Sequence, residues 1–190
     1  MIREGIARIY WRFSRWTLHN EPQPDTPRII LGVPHTSNWD FVFMLAICWR
    51  SHVPLRWLGK HTLFAGWRGP LMRALGGIPV DRANPGGIVE ELLSRQKKGS
   101  FSIAITPEGT RGAGRQWKSG FYRLAQDSGL PVTLGYVDRN TMTTGLGPTL
   151  TMSGDPKADM DAIRAFYADK AGFHPSLATA PRLGIEGKPR

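Results

Sequence analysis

Apolar residues recur with a helical period at the start of the chain. Ile2, Ile6, Ile9, Phe13 and Trp16 fall at i, i+4, i+7, i+11 and i+14, while Arg3, Arg8, Arg12 and Arg15 lie mostly on the other side. Two readings of that helix coexist. It packs its apolar stripe on the domain with the arginines in water, or it lies as a basic amphipathic helix in a membrane interface. The run Glu21-Pro22-Gln23-Pro24-Asp25-Thr26-Pro27 then ends the helix in a stiff linker. Residues 28–33 (RIILGV) read as a short buried strand, and further strand signals fall at 55–58, 78–80, 101–105 and 132–137. Helical stretches are expected at 39–50, 63–75, 87–98, 120–128 and 159–171. Strands alternating with helices argue an α/β fold: a single domain with a mixed or largely parallel sheet flanked by helices, preceded by the N-terminal amphipathic helix. The expected division is a basic helix over 1–20, a main domain over 28–172, and a tail over 173–190. That tail, with Pro175, Pro181 and Pro189, is expected to be extended or disordered.

Composition narrows the classes. The chain has 190 residues, 41% of them hydrophobic, which suits one globular domain rather than a disordered or fibrous chain. Its longest apolar run, 41–49, is far short of the ~20 residues that a membrane-spanning helix needs. The arginine-rich start has no continuous apolar core or small-residue cleavage site, so a secretory signal is not expected. Cys48 is the one cysteine, which excludes an internal disulfide framework and a multi-cysteine metal site, and allows a reducing, cytoplasmic setting. The charge points outward. Lys and Arg number 25 against 15 Asp and Glu, a formal +10, and such a surface attracts polyanions: nucleic acid, anionic lipid headgroups or phosphorylated small molecules. Seven tryptophans suit a membrane interface as well as nucleic acid, so composition alone does not choose.

Sites in open α/β sheets form in loops at the carboxyl ends of strands. Three loops of this chain are rich in polar groups. The first is Pro34-His35-Thr36-Ser37-Asn38-Trp39-Asp40. Five residues along a helix turn through about 500°, so His35 and Asp40 cannot share a helical face. They meet if His35 stays in the loop and Asp40, in the first helical turn, reaches back. The imidazole then has one nitrogen fixed by a carboxylate and the other left as a base. A plainer reading makes 37–40 a variant capping box, which accounts for Asp40 but not for the histidine. The second loop, Gly76-Gly77-Ile78-Pro79-Val80-Asp81-Arg82, sets a guanidinium just past a strand end, either to meet a phosphate or to pair with Asp81 at a turn. The third, Thr106-Pro107-Glu108-Gly109-Thr110-Arg111, combines backbone N–H groups, a hydroxyl and a guanidinium, the ingredients of an anion nest or of an ordinary turn. Arg115 and Lys118 follow it. Cys48 reads as core. His52, His61 and His174 show no metal-ligand spacing, and no metal site is expected. No P-loop and no Gly-x-Gly-x-x-Gly fingerprint is present.

In this order the three loops resemble the boxes of the glycerolipid acyltransferase family, whose members acylate glycerol 3-phosphate or lysophosphatidic acid. The His-x-x-x-x-Asp box matches His35 to Asp40, and the glycine-rich box ending in arginine matches Gly77 to Arg82. The Pro-Glu-Gly-Thr-Arg box matches Pro107 to Arg111, followed by Lys118-Ser119-Gly120, and Pro131-Val132-Thr133-Leu134 resembles a weaker fourth box. Two positions depart from the pattern: Gly112 replaces a common serine, and Leu134 a usual proline. The resemblance makes 28–172 an acyltransferase domain. It implies transfer of a fatty acyl group from a thioester, acyl-CoA or acyl carrier protein, to the hydroxyl of a glycerolipid acceptor such as lysophosphatidic acid. His35 would be the general base and Asp40 its partner. Arg82, Glu108, Gly109, Thr110 and Arg111 would bind the acceptor and its phosphate, with Lys118 a further substrate contact. No cofactor or metal is implied beyond the thioester co-substrate.

The expected partners are therefore an acyl donor, a lipid acceptor and a peripheral anionic membrane surface on the cytoplasmic side, with nucleic acid not expected. Two rival readings stand beside this one. One is an acyltransferase for a non-phosphorylated lipid. The other is a non-enzymatic basic module that binds anionic membrane or nucleic acid.

Overall fold

A computed structural model describes residues 2–80, 94, 101–109 and 114–187. The elements run α1 (Ile2–Phe13), β1 (Thr17–Leu18), β2 (Ile29–Val33), α2 (Trp39–Arg50), β3 (Leu55–Lys60), α3 (Arg68–Ala74), β4 (Gly77–Val80), β5 (Ser102–Ile105), α4 (Gly120–Ser128), β6 (Val132–Asp138), β7 (Thr143–Leu150) and α5 (Pro156–Tyr167). Short 3₁₀ turns occupy His61–Phe64 and Pro175–Leu177. The strands form one sheet in the order β1-β7-β6-β2-β5-β3-β4. Every described neighbour pair is parallel except β6 with β7. The α/β fold with a mixed, mostly parallel sheet is as the alternation of strands and helices predicts.

The period of two along β2 explains the layering. Ile29, Leu31 and Val33 face one side, with Leu134, Phe121, Leu124, Met160, Ile163 and Trp117. Ile30 faces the other side, with Phe43, Ile47, Cys48, Val137 and Leu146. Both faces of β2 are thus covered, as continuous apolar strands require. Each fully buried side chain of this size contributes roughly 1.5–3 kcal/mol by leaving water. Because β2 lies between β6 and β5, with Leu31 level with both Leu134 and Ile105, the loops after β2 and β5 emerge side by side.

Several elements differ from the sequence reading, each for a local reason. The first helix stops at Phe13, and Thr17 and Leu18 pair with Thr143 and Thr144 of β7. The residues after β1 stay on that edge. The N–H of Glu21 bonds to the Leu146 carbonyl, and Gln23 Nε2 reaches the Gly147 carbonyl, so the proline-rich linker lies docked. Strand β7 is not among the expected strands, because Gly145, Gly147 and Pro148 dilute its alternation. The helix expected over 63–75 is interrupted at Gly66, which takes φ +57, so only Arg68–Ala74 is α-helical. The last helix begins earlier than expected, at Pro156, because Asp155 caps it through the N–H groups of Lys157 and Ala158. The expected helix over 87–98 falls, Ser94 aside, outside the described residues. The tail is packed rather than loose. Leu183 is buried and pairs with Trp117 as an isolated parallel bridge, and Arg164 holds Glu186 at 2.8 Å.

Of the two readings of α1, the structure departs from the one that packs the apolar stripe on the domain, because another face of the helix is buried. Ala7 is buried, and Trp11 stacks on Phe43 with centroids 5.9 Å apart while its Nε1 donates to the Ala46 carbonyl. The stripe Ile2, Ile6, Ile9 and Phe13 instead faces solvent, at 82, 52, 63 and 79% exposure. Trp16 leaves that stripe and lodges against Phe43 and Phe173.

A Cβ on Gly145 would run into the carbonyl oxygen of His19, on the backbone that docks along β7. Gly145→Ala is therefore expected to lower the urea-unfolding free energy by about 1–3 kcal/mol, the usual cost of overpacking. Limited proteolysis should then cut first between 14 and 24.

Candidate active site

His35 and Asp40 meet as the loop argument requires. Ser37 Oγ accepts the Trp39 N–H at 3.2 Å. Asp40 Oδ2 accepts the N–H groups of Thr36 at 2.8 Å and Ser37 at 2.7 Å. That is the capping-box reading, with Asp40 stabilising the start of α2. The same Oδ2 lies 3.2 Å from His35 Nδ1. This is a contact without the alignment of a formed hydrogen bond, which leaves Nδ1 and Asp40 Oδ1 as buried polar atoms without partners. Catalytic hydrogen bonds are commonly long or bent in an empty site. The capping and catalytic readings of Asp40 are thus geometrically compatible, since one oxygen serves the helix and faces the imidazole.

Glu108 approaches from β5. Pro107 and Glu108 form a turn closed by Gly109 N–H to the Thr106 carbonyl at 3.1 Å, and Gly109 takes φ +75, where a side chain would be strained. The turn drives Glu108 inward, leaving it 4% exposed. Its Oε2 accepts the backbone N–H of His35 at 3.0 Å. Burial pushes the Glu108 carboxyl up to about 7, helped by the Asp40 charge and opposed by the His35 N–H and imidazole and by the Thr179 N–H. The carboxylate of Glu108 therefore turns toward His35 and not outward from the loop.

Lys118 lies across Gly109, with its N–H on the Pro107 carbonyl at 2.7 Å and its Cγ 3.4 Å from where a Gly109 Cβ would stand. Arg82, Thr110 and Arg111, the other expected acceptor contacts, lie outside the described residues, as do Asp81 and Gly112. Cys48 is buried and its thiol is pushed up to about 12, which fits a core side chain and not a nucleophile. Beside the dyad a narrow apolar slot runs under α2. Gly32, Ile30 and Val137 floor it, Met44 and Ile47 roof it, and Asp40 stands at its edge. Among the described residues no three His, Cys, Asp or Glu cluster as metal ligands.

The sequence reading missed Thr36, Gly172 and Thr179. Thr36 is 3% exposed and its Oγ1 accepts the His174 N–H, while Thr179 Oγ1 accepts the Gly114 N–H at 2.8 Å. Nothing in a lone threonine signals such a contact when its partner lies 65 or more residues away.

The buried Glu108 carboxyl makes stability depend on pH. Between its ordinary value of 4.5 and about 7 the native state holds a proton that the unfolded chain has lost. Stability therefore falls as pH rises through that window. Glu108→Gln keeps an acceptor oxygen and cannot ionise. Urea titrations at pH 4.5, 6 and 8 should show this variant gaining on the wild type as pH rises. The gain should reach on the order of 3 kcal/mol, because each pH unit crossed within the window is worth ~1.4 kcal/mol.

Residues 15–134, a span that contains all three loops, match the family described as Acyltransferase. The fold is similar to the crystal structure of the 1-acyl-sn-glycerophosphate (LPA) acyltransferase PlsC from Thermotoga maritima, with a TM-score of 0.53. Sequence identity is 18%, so the likeness is one of fold. The alignment covers 77% of this chain and 65% of that one, just under two thirds of the relative's length. No curated protein matches the sequence. The match over most of the sheet, His35 and Asp40 included, shows that the chain belongs to the acyltransferase family.

Proposed function

We propose that the protein transfers a fatty acyl group from an acyl thioester, acyl-CoA or acyl carrier protein, to the hydroxyl of a lysophosphatidic acid-type acceptor. The observation that carries this reading is the pairing of His35 with Asp40 at the carboxyl edge of the sheet, beside an apolar slot. With Nδ1 turned to Asp40, Nε2 is the nitrogen left to take a proton. In the proposed step the acceptor hydroxyl gives its proton to Nε2 as its oxygen attacks the thioester carbonyl carbon. The tetrahedral oxyanion collapses, the C–S bond breaks, and the thiolate takes the proton back from His35. Asp40 stabilises the imidazolium formed between these events. Arg82, Thr110 and Arg111 bind the acceptor phosphate, with Gly109 and Lys118 as further acceptor contacts.

The acceptor and the acyl chain are both lipids, so the protein works at an anionic membrane surface on the cytoplasmic side. Two exposed apolar groups support this. One is the outer stripe of α1, and the other is Leu63, Trp67 and Leu71 around the start of α3. Arg3 Nη2 donates to the Ala74 carbonyl at 2.6 Å, which brings the start of α1 against the end of α3. Among the described residues no helix is long and apolar enough to cross a membrane.

Free thiol release from palmitoyl-CoA in the presence of lysophosphatidic acid tests the reaction. His35→Ala is expected to cut that release by ~10²–10⁴ with the fold intact. Equal rates with a non-phosphorylated acceptor would move the reading to a different lipid, and no release from the wild type would leave a basic binding module. Co-sedimentation with vesicles tests the surface. Each basic residue near an anionic bilayer contributes about 1 kcal/mol, and salt screens it, whereas insertion of the α1 stripe is salt-resistant. Ile9→Ser with Phe13→Ser should therefore abolish the binding that survives high salt, without lowering turnover of a soluble short-chain acceptor.

A further inference from the structure

The catalytic loop is held from behind by a segment that none of the three boxes contains. Residues 171–174 leave α5 and run past the end of β6, where the Arg139 N–H bonds to the Ala171 carbonyl at 2.7 Å and Arg139 Nη1 to the Phe173 carbonyl at 3.0 Å. The Ala171 N–H in turn bonds to Asp138 Oδ1. Phe173 is wedged between aromatic rings, with its centroid 5.5 Å from Phe43 at 20° and 5.1 Å from Trp16. Thus anchored, the segment grips Thr36. The His174 N–H donates to Thr36 Oγ1 at 3.1 Å. Gly172 presses so closely that a Cβ there would lie 2.7 Å from Thr36 Oγ1 and 3.1 Å from Pro34 Cβ.

Thr36 is the link between the two members of the dyad. It follows His35 in the chain, and its own N–H is bound by Asp40 Oδ2. We propose that Thr36 is a positioning residue, and that residues 172–174 act as a rigid clamp which sets His35 against Asp40 through it. Thr36 is 3% exposed and its hydroxyl already accepts a hydrogen bond, so it has no surface to offer a substrate. His35 is then fixed on both sides: Glu108 holds its N–H, and the clamp holds the peptide that follows. The clamp lies beyond residues 15–134, the span that matches the family. A misplacement near 1 Å, remote from the reacting atoms, can cost ~10²-fold in rate. The clamp has that leverage because it bears directly on the loop.

The inference rests on His35 being the general base. Its test uses the full chain, with kcat and both KM values measured for Thr36→Ala, Thr36→Ser and Gly172→Ala beside His35→Ala. Thr36→Ala is expected to lower kcat about 10- to 100-fold with both KM values within about two-fold. Thr36→Ser, which keeps the hydroxyl, should restore kcat to within about three-fold of the wild type on the same principle. Gly172→Ala changes no atom of the catalytic loop yet should reproduce the kcat loss, and it decides the matter if Thr36→Ala does not fold. Unchanged kcat in a folded Gly172→Ala or Thr36→Ala protein overturns the clamp, provided His35→Ala is inactive. A loss confined to the acceptor KM also overturns it, by making Thr36 a binding contact. An active His35→Ala protein brings down the base assignment, and the clamp with it.

Discussion

Asp40 Oδ2 accepts the N–H groups of Thr36 and Ser37 and stands 3.2 Å from His35 Nδ1, so the oxygen that starts α2 is also the one the imidazole faces. The first turn of any helix leaves N–H groups without partners, and a carboxylate there is favoured by both hydrogen bonding and the helix dipole. Those bonds hold the Asp40 side chain in place whether or not chemistry follows. Helix α2 is in turn pressed on the sheet by Phe43, Ile47 and Cys48. The orientation of His35 is thus supported by the packing of a whole helix, and a change far along α2 can reach the imidazole through Asp40.

The parts of this arrangement that lie close together in sequence are legible without the structure. The His35–Asp40 pairing follows from a strand, a short loop and a cap that adjoin one another in the chain, and those three signals agree. The expected strands within 28–137 appear within a residue or two because their apolar runs are short and bounded by turn residues. Long-range contacts leave no such trace. Strand β7 has two glycines and a proline, and it exists because β6 and the docked residues 17–23 pair with its two edges. Thr36 meets His174 across 138 positions. The prolines of the tail argue against packing, yet Leu183 and Thr179 are buried against Trp117.

Helix α1 shows why its pattern leaves two readings open. Its widest apolar stripe is real, but the residues that bind it to the domain are Ala7, Tyr10 and Trp11, of which the two aromatics carry polar tips. Trp11 can be half-buried because its indole N–H finds the Ala46 carbonyl, and its ring area then outweighs what the isoleucines would contribute. A helix with two apolar faces buries the one that fits. The other is left outward, where isolated exposed residues would be ordinary but four in register are a surface.

The electrostatics of the site follow from the same crowding. Two carboxylates, Asp40 and Glu108, flank one imidazole, and the Asp40 charge raises the cost of ionising Glu108. Two backbone N–H groups point at Asp40 Oδ2, whereas at Glu108 burial outweighs the N–H groups of His35 and Thr179 and pushes the carboxyl up. A positive charge arriving on His35 would lie beside both. It would favour ionisation of Glu108, so charge on the imidazole and charge on Glu108 are coupled. Glu108 at about 7 stands where that coupling operates near neutral pH. The site thus answers charge on His35 within its own interior, by a proton on the carboxylate that holds the histidine's backbone in place.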